Sequence, residues 1–150
     1  SMAGNNRPMA AVPADAPEFL WSVRVYYEDT DAAGVVYHSN YLKYMERART
    51  EWLRAAGYSQ KDLARDAGVV FVVASMNMEF LSSARLDELL DVRTRLSAVN
   101  GPRLVFEQSI INGDGELKCR AGVNIVCVDA GTFRPRRIPD HIKAELFDGD

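Results

Sequence analysis

The chain has 150 residues, enough for one domain whose core needs neither metal nor disulfide to hold it together. A hydrophobic fraction of 47%, a charged fraction of 26% and a net charge of −3 fit a globular enzyme or binding protein, and give no electrostatic reason to expect nucleic acid or an anionic membrane. No apolar run approaches the roughly 20 residues that a spanning helix needs.

Residues 1–19 are small, rich in Ala and Pro and weakly patterned, and read as an arm with little structure of its own; residues 20–150 read as the domain. Pro8, Pro13 and Pro17 interrupt what would be the apolar core of a secretory leader, so a cytoplasmic location is expected. Trp21 to Glu28 alternates as a first strand, with Trp21, Val23, Val25 and Tyr27 on one face. Asp29 to Ser39 is rich in turn formers. A helix is expected from about Asn40, with Ser39 as N-cap, Gly57 as stop, and Tyr41, Met45, Ala48, Trp52 and Ala56 as one apolar stripe. Ser59-x-x-Asp62 resembles a capping box that opens a short second helix ending near Gly68.

The remainder reads as strands: Val69 to Leu81, Leu89 to Val99, Leu104 to Ile111 and Leu117 to Asp129. Leu90, Val92, Thr94, Leu96 and Ala98 face one way; Asp91, Arg93, Arg95 and Ser97 face the other. Asn100-Gly101-Pro102 and Asn112-Gly113-Asp114-Gly115 are turns, and Pro139 to Phe147 a short terminal helix. Cys119 and Cys127 lie in one strand-like stretch and read as buried free thiols. The pattern is α+β: an antiparallel sheet of about five strands, joined mainly by hairpins, with one long helix packed on it. One helix covers one face only, which favours self-association.

The chemistry concentrates between Tyr26 and Gly57. Glu28, Asp29 and Asp31 share one loop, followed by Gly34, Val35, Val36, Tyr37 and then His38 at the mouth of the helix. A helix N-terminus carries unpaired N–H groups that stabilise a developing oxyanion, and a carboxylate beside it can attack a carbonyl or take a proton from water. The same residues could equally be caps and solvated charges. No Gly-x-Ser-x-Gly elbow or glycine-rich phosphate loop occurs, and the two histidines, His38 and His141, offer little for a metal, so none is expected.

The stretch Tyr27-Glu28-Asp29-Thr30-Asp31-x-x-Gly34-Val35-Val36-Tyr37-His38-x-Asn40-Tyr41, with Glu46-Arg47-Ala48-Arg49, resembles the signature of the 4-hydroxybenzoyl-CoA thioesterase family in its YbgC-like branch. The likeness continues through Ala84-Arg85-Leu86-Asp87 and Leu104-Val105-Phe106 to Arg134-Pro135-Arg136. It implies the hotdog fold, a sheet wrapped around one long helix. It also implies a hydrolase that splits acyl-CoA into a carboxylic acid and free coenzyme A, with no cofactor beyond the coenzyme A of the substrate. Homodimers or dimer-of-dimers homotetramers, and a functional link to the Tol-Pal envelope proteins, are further implications of family context. Alternatives are an acyl-carrier-protein thioesterase and a non-catalytic acyl-CoA-binding or scaffold protein.

By the same resemblance Asp31 is the catalytic carboxylate, as nucleophile or general base. His38 orients the thioester or the water, and Tyr27 supports the aspartate, although alternation could equally place that ring in the core. Gly34, Val35 and Val36 form the substrate loop. Glu46 contacts the acyl group or pairs with Lys43. Val72 and Val73 line the acyl pocket or the core. Arg103, and secondarily Arg134, Arg136 and Arg137, meet a coenzyme A phosphate or are solvated charges.

Overall fold

The structure, a computed structural model, describes residues 10–11 and 18–148; the remainder of the expected N-terminal arm lies outside the described residues. In chain order it comprises β1 (Ala10–Ala11), β2 (Phe19–Arg24), a single 3-10 turn (Tyr27–Asp29), α1 (His38–Ala55) and α2 (Gln60–Ala67). Then come β3 (Val69–Phe80), β4 (Leu89–Asn100), β5 (Arg103–Asn112), β6 (Leu117–Asp129) and α3 (Asp140–Asp148).

The strands form one antiparallel sheet in the order β1-β4-β5-β6-β3, with β2 lying beside β1 along the same edge of β4. Two residues of the expected unstructured arm are thus a strand, and β2 begins at Phe19 rather than Trp21. The β4–β5 and β5–β6 connections are hairpins. The β3–β4 connection is not: β3 pairs with β6, so residues 81–88 form a strap that carries the chain across the sheet to β4. Local turn signals could not reveal that crossover, because it is set by which edge each strand occupies.

The helix α1 lies against the sheet's inner face. Tyr41, Tyr44, Met45, Ala48 and Leu53 are buried against Leu90, Val92, Leu104, Ile110, Val123 and Ile125. Each such side chain contributes roughly 2 kcal/mol on leaving water. Trp52 meets Phe106 edge-on, with ring centroids 4.9 Å apart. Along β4 the expected alternation breaks once. A register shift between Leu96 and Ala98 turns Ala98 away and makes Val99 the next buried residue. The outer face carries polar pairs: Arg95 with Glu107, Arg120 with Glu79, Asn124 with Ser75.

The helix stops follow the glycines. Gly57 and Gly68 take left-handed φ of 100° and 69° after α1 and α2, and the Ser59 hydroxyl accepts the Asp62 N–H at 3.1 Å to cap α2. The start of α1 departs from expectation. The helix begins at His38, two residues earlier, and Ser39 sits inside it rather than capping it.

Candidate active site

Asp29 explains the early helix start. Its carbonyl accepts the Tyr37 N–H at 3.1 Å and the Asn40 Nδ2 at 2.8 Å, and its carboxylate accepts the Tyr26 N–H at 2.9 Å. Asp29 is therefore a structural residue that locks the 3-10 turn onto the helix entrance. The N-cap position falls to Tyr37, whose side chain caps nothing. The N–H groups of His38 and Ser39 are left without partners inside the helix, together with the positive end of its dipole.

Asp31 sits in a tight loop facing that end. Its N–H donates to the Val35 carbonyl at 2.9 Å, and its carbonyl accepts the Gly34 N–H at 3.0 Å. Its Oδ1 accepts the N–H groups of Ala33 at 2.8 Å and Val35 at 3.4 Å. These bonds fix the carboxylate plane and leave Oδ2 without a protein partner among the described residues. Gly34 makes the loop feasible: its φ of 80° is a conformation that side-chain-bearing residues reach only with strain.

The strap closes the other side. The Val36 N–H donates to the Ala84 carbonyl at 2.8 Å, the Ala84 N–H donates to the Tyr41 hydroxyl at 2.9 Å, and Val35 bridges Arg85. Burial, the largest influence on the Tyr41 phenol, holds its pKa above the ordinary value. The result is a cleft of about 320 Å³ that brings together Asp31, Val35, Val36, Tyr37, His38, Phe80 and the strap residues Ser82 and Ser83. His38 lies on Phe80, with ring centroids 4.5 Å apart.

Tyr27 is not part of this arrangement within one chain. Instead of continuing the first strand, it belongs to the 3-10 turn, and its side chain is 82% exposed. It is neither core nor hydrogen-bonded to Asp31 among the described residues. Alternation fails there because β2 ends at Arg24 and Val25 turns in alone.

Glu46 and Val73 lie farther along α1 and β3, at a second cavity of about 290 Å³ walled by Trp52, Leu53, Phe71, Leu104, Phe106 and Ile125. Arg49 also lines it. Its guanidinium, whose pKa burial lowers, donates to Gln108 Oε1 at 2.9 Å; Gln108 in turn donates to Thr94 Oγ1 and the Met45 carbonyl. Val72 pairs in register with Val126 on the outer face, so it lines neither cavity nor core. Arg103 is exposed at the end of β5 remote from the Asp31 cleft, and no structural contact joins it to that cleft within one chain. Arg136 is engaged elsewhere, donating to the Gly68 carbonyl at 3.2 Å beside α2.

Phe80, Ser82, Ser83 and Tyr41 also line the cleft, and the sequence motif does not single them out as site residues. Phe80 and the serines reach the cleft only through the crossover. Tyr41 lies inside the matched motif, where the helical period reads it as part of the apolar stripe. Among the described residues no group of three or more His, Cys, Asp and Glu side chains is arranged to hold a metal ion, and no helix is long and apolar enough to cross a membrane.

Known proteins share both sequence and fold. Residues 25–146 match the family described as the thioesterase-like superfamily. The acyl-CoA thioester hydrolase YbgC of Escherichia coli is 48% identical over 128 residues, covering 85% of this chain and 95% of that protein. The acyl-CoA thioesterase YbgC of Haemophilus influenzae is 44% identical over 126 residues, covering 84% and 92%. Among solved structures, a DHNA-CoA thioesterase from Staphylococcus aureus superposes with a TM-score of 0.79 at 26% identity, covering 87% of this chain and 89% of that one. With a long helix seated on an antiparallel sheet, and with this agreement over nearly its whole described length, the chain belongs to the thioesterase-like superfamily and has its hotdog fold.

Proposed function

We propose that this protein hydrolyses acyl-CoA thioesters to a carboxylic acid and free coenzyme A, with Asp31 as the catalytic carboxylate. The observation that carries the reading is the pairing, in one cleft, of a loop carboxylate and a helix N-terminus, one carboxylate oxygen and the first helical N–H groups having no partner among the described residues. A thioester carbonyl oxygen placed at the N–H groups of His38 and Ser39 is polarised by them and by the helix dipole. Asp31 Oδ2 then attacks the carbonyl carbon and expels the thiolate, giving an anhydride that water opens, or it removes a proton from a water that attacks the same carbon. The thiolate takes up a proton in either case. His38, held by Phe80, orients the thioester or the water. Tyr27, exposed on the turn before Asp31, is available to the substrate or to a second copy of the chain.

A dimer is part of this reading. The strand β3 is the sheet's outer edge, and its Val72 and Val73 are 37% and 48% exposed. An unpaired apolar edge of this length favours pairing with a second copy.

The test measures thiol release from acyl-CoA esters of graded chain length, and from the same acyl groups on acyl carrier protein at equal concentration. Release with coenzyme A esters, abolished in Asp31→Asn with the circular dichroism spectrum retained, is the expected outcome. Faster release from the carrier protein would move the assignment to that carrier. Binding without turnover across the panel would make the protein a binder, and full activity of Asp31→Asn would remove Asp31 from the chemistry.

A further inference from the structure

The strap that closes the cleft hangs from one buried cation. Lys118 is only 4% exposed, on a strand whose neighbours Cys119, Ala121 and Val123 face the core. Simple alternation would send its side chain outward. It turns inward because it is the extra residue of a β-bulge: Ile110 pairs with Cys119 and Ile111 with Leu117, leaving Lys118 without a β5 partner. Bulges of this kind re-aim a side chain and concentrate beside active sites.

The re-aimed side chain and its own backbone grip the strap at three successive residues. The Lys118 carbonyl accepts the N–H groups of Leu81 at 2.9 Å and Ser82 at 3.1 Å, and its Nζ donates to the Ser83 carbonyl at 3.1 Å. The charge is balanced by Glu116, with which it pairs directly, and by Glu88, 3.9 Å away. Glu88 Oε1 also accepts the Arg85 N–H at 2.7 Å, so the strap is held at both ends of its cleft-facing part. The next residue after Ser83 is Ala84, whose carbonyl holds the Val36 N–H and whose N–H holds Tyr41. A continuous path thus runs from the ammonium through Ser83 and Ala84 to Val36, two residues before the helix N–H group of His38.

We propose that Lys118 is a positioning residue for the thioesterase reaction: by clamping the Ser83 carbonyl it fixes the strap, and through Ala84 and Val36 the angle at which the first turn of α1 meets the Asp31 loop. Burying an ammonium is costly unless it is well paired. An apolar side chain would fill the same space without that cost, but would leave the Ser83 carbonyl without its donor. The proposal rests on the reading of the Asp31 cleft as the place of thioester hydrolysis.

The experiment compares wild type, Lys118→Met and Lys118→Arg by steady-state kinetics on one acyl-CoA, with amide hydrogen exchange as an independent readout. Lys118→Met is expected to lower kcat by about tenfold or more with KM within about twofold, because the polarising N–H groups act mainly in the transition state. Lys118→Arg, which keeps charge and donors, is expected to recover most of kcat. Exchange in Lys118→Met should quicken at Ala84 and Val36 but not at the core amides of β5. Should Lys118→Met not fold, Lys118→Met combined with Glu116→Gln, which removes the donor without leaving the Glu116 carboxylate unpaired, carries the same comparison. An unchanged kcat in a folded neutral variant would overturn the proposal, as would a fall in kcat accompanied by faster exchange throughout the sheet. If the wild type turns over no thioester, the assigned activity fails, while the exchange pattern still decides whether Lys118 controls the strap.

Discussion

His38, the first residue of α1, lies over Phe80, the last residue of β3, with ring centroids 4.5 Å apart and planes inclined by 39°. The contact joins the helix entrance to the far edge of the sheet across 42 positions of sequence, and it orients the imidazole over the cleft that holds Asp31. Aromatic pairs of this kind contribute about 0.5–1.5 kcal/mol beyond area burial. Phe80→Leu keeps an apolar side chain and removes the stacking. It should lower kcat/KM by about twofold to tenfold if the stacked pose is the reactive one. The melting temperature should barely move, since Phe80 is already half exposed. Kinetics and thermal unfolding on the same preparation check both parts.

Gly34 offers a test of the Asp31 loop that leaves every functional side chain in place. A Cβ there would meet nothing within 4 Å, so any effect of Gly34→Ala arises from the backbone φ of 80°. The left-handed conformation costs a side-chain-bearing residue about 1–2 kcal/mol. Relaxation of that strain would pull the Gly34 N–H from the Asp31 carbonyl and the Val35 N–H from its carboxylate. The expected outcome is a loss of about 1 kcal/mol in urea unfolding together with a clear fall in kcat. Gly122→Ala, where space is also open and φ is ordinary, is the control.

What the sequence made legible follows the range of the physics. The caps at Ser59, Gly57 and Gly68 are local, and each was readable from a few residues. Asp31, Val35, Val36 and His38 converge because they lie within one loop and the helix turn it feeds, with Gly34 shaping that loop rather than lining the cleft. Phe80, Ser83 and Lys118 were not readable, because they reach the site through the β3–β6 pairing and a bulge that no local pattern encodes. Tyr27 was misplaced for the opposite reason: a period-2 pattern was extended past Arg24, where the backbone leaves the sheet to make the 3-10 turn. Ser39 was a sound cap by type, but the Asp29 carbonyl takes the bonds that decide where α1 begins.

The buried polar chain Arg49–Gln108–Thr94 should behave as a unit. Gln108 accepts from Arg49 and donates to both Thr94 and the Met45 carbonyl, and Thr94 is fully buried. Gln108→Leu strands a half-buried guanidinium and a backbone carbonyl, and should cost about 2–4 kcal/mol in denaturant unfolding. Thr94→Val removes one acceptor and should cost about 1 kcal/mol. In the double variant the two costs should sum to less than their separate values, since the Gln108–Thr94 bond is lost only once.

The two cysteines predict how stability responds to alkali. Cys119 and Cys127 are fully buried on the inner face of β6, and burial pushes their thiols up to about 12 and about 11 from an ordinary value of 9.0. Above pH 9.0 the unfolded chain releases these protons while the folded chain keeps them. The unfolded state then binds fewer protons, and folding stability falls as pH rises. Burial also raises the Tyr41 and Tyr44 phenols, with the Asp29 carboxylate adding to the effect on Tyr44, so they reinforce the fall above their ordinary 10.0. The urea midpoint should therefore decline steadily from pH 9.0 towards about 11, and less steeply in a Cys119→Ala, Cys127→Ala variant. The same burial predicts that the native protein at neutral pH reacts negligibly with an aromatic disulfide reagent, whereas the denatured chain titrates as two thiols. A midpoint flat across that pH range, or rapid labelling of the native protein, would show that β6 opens far more readily than its packing implies.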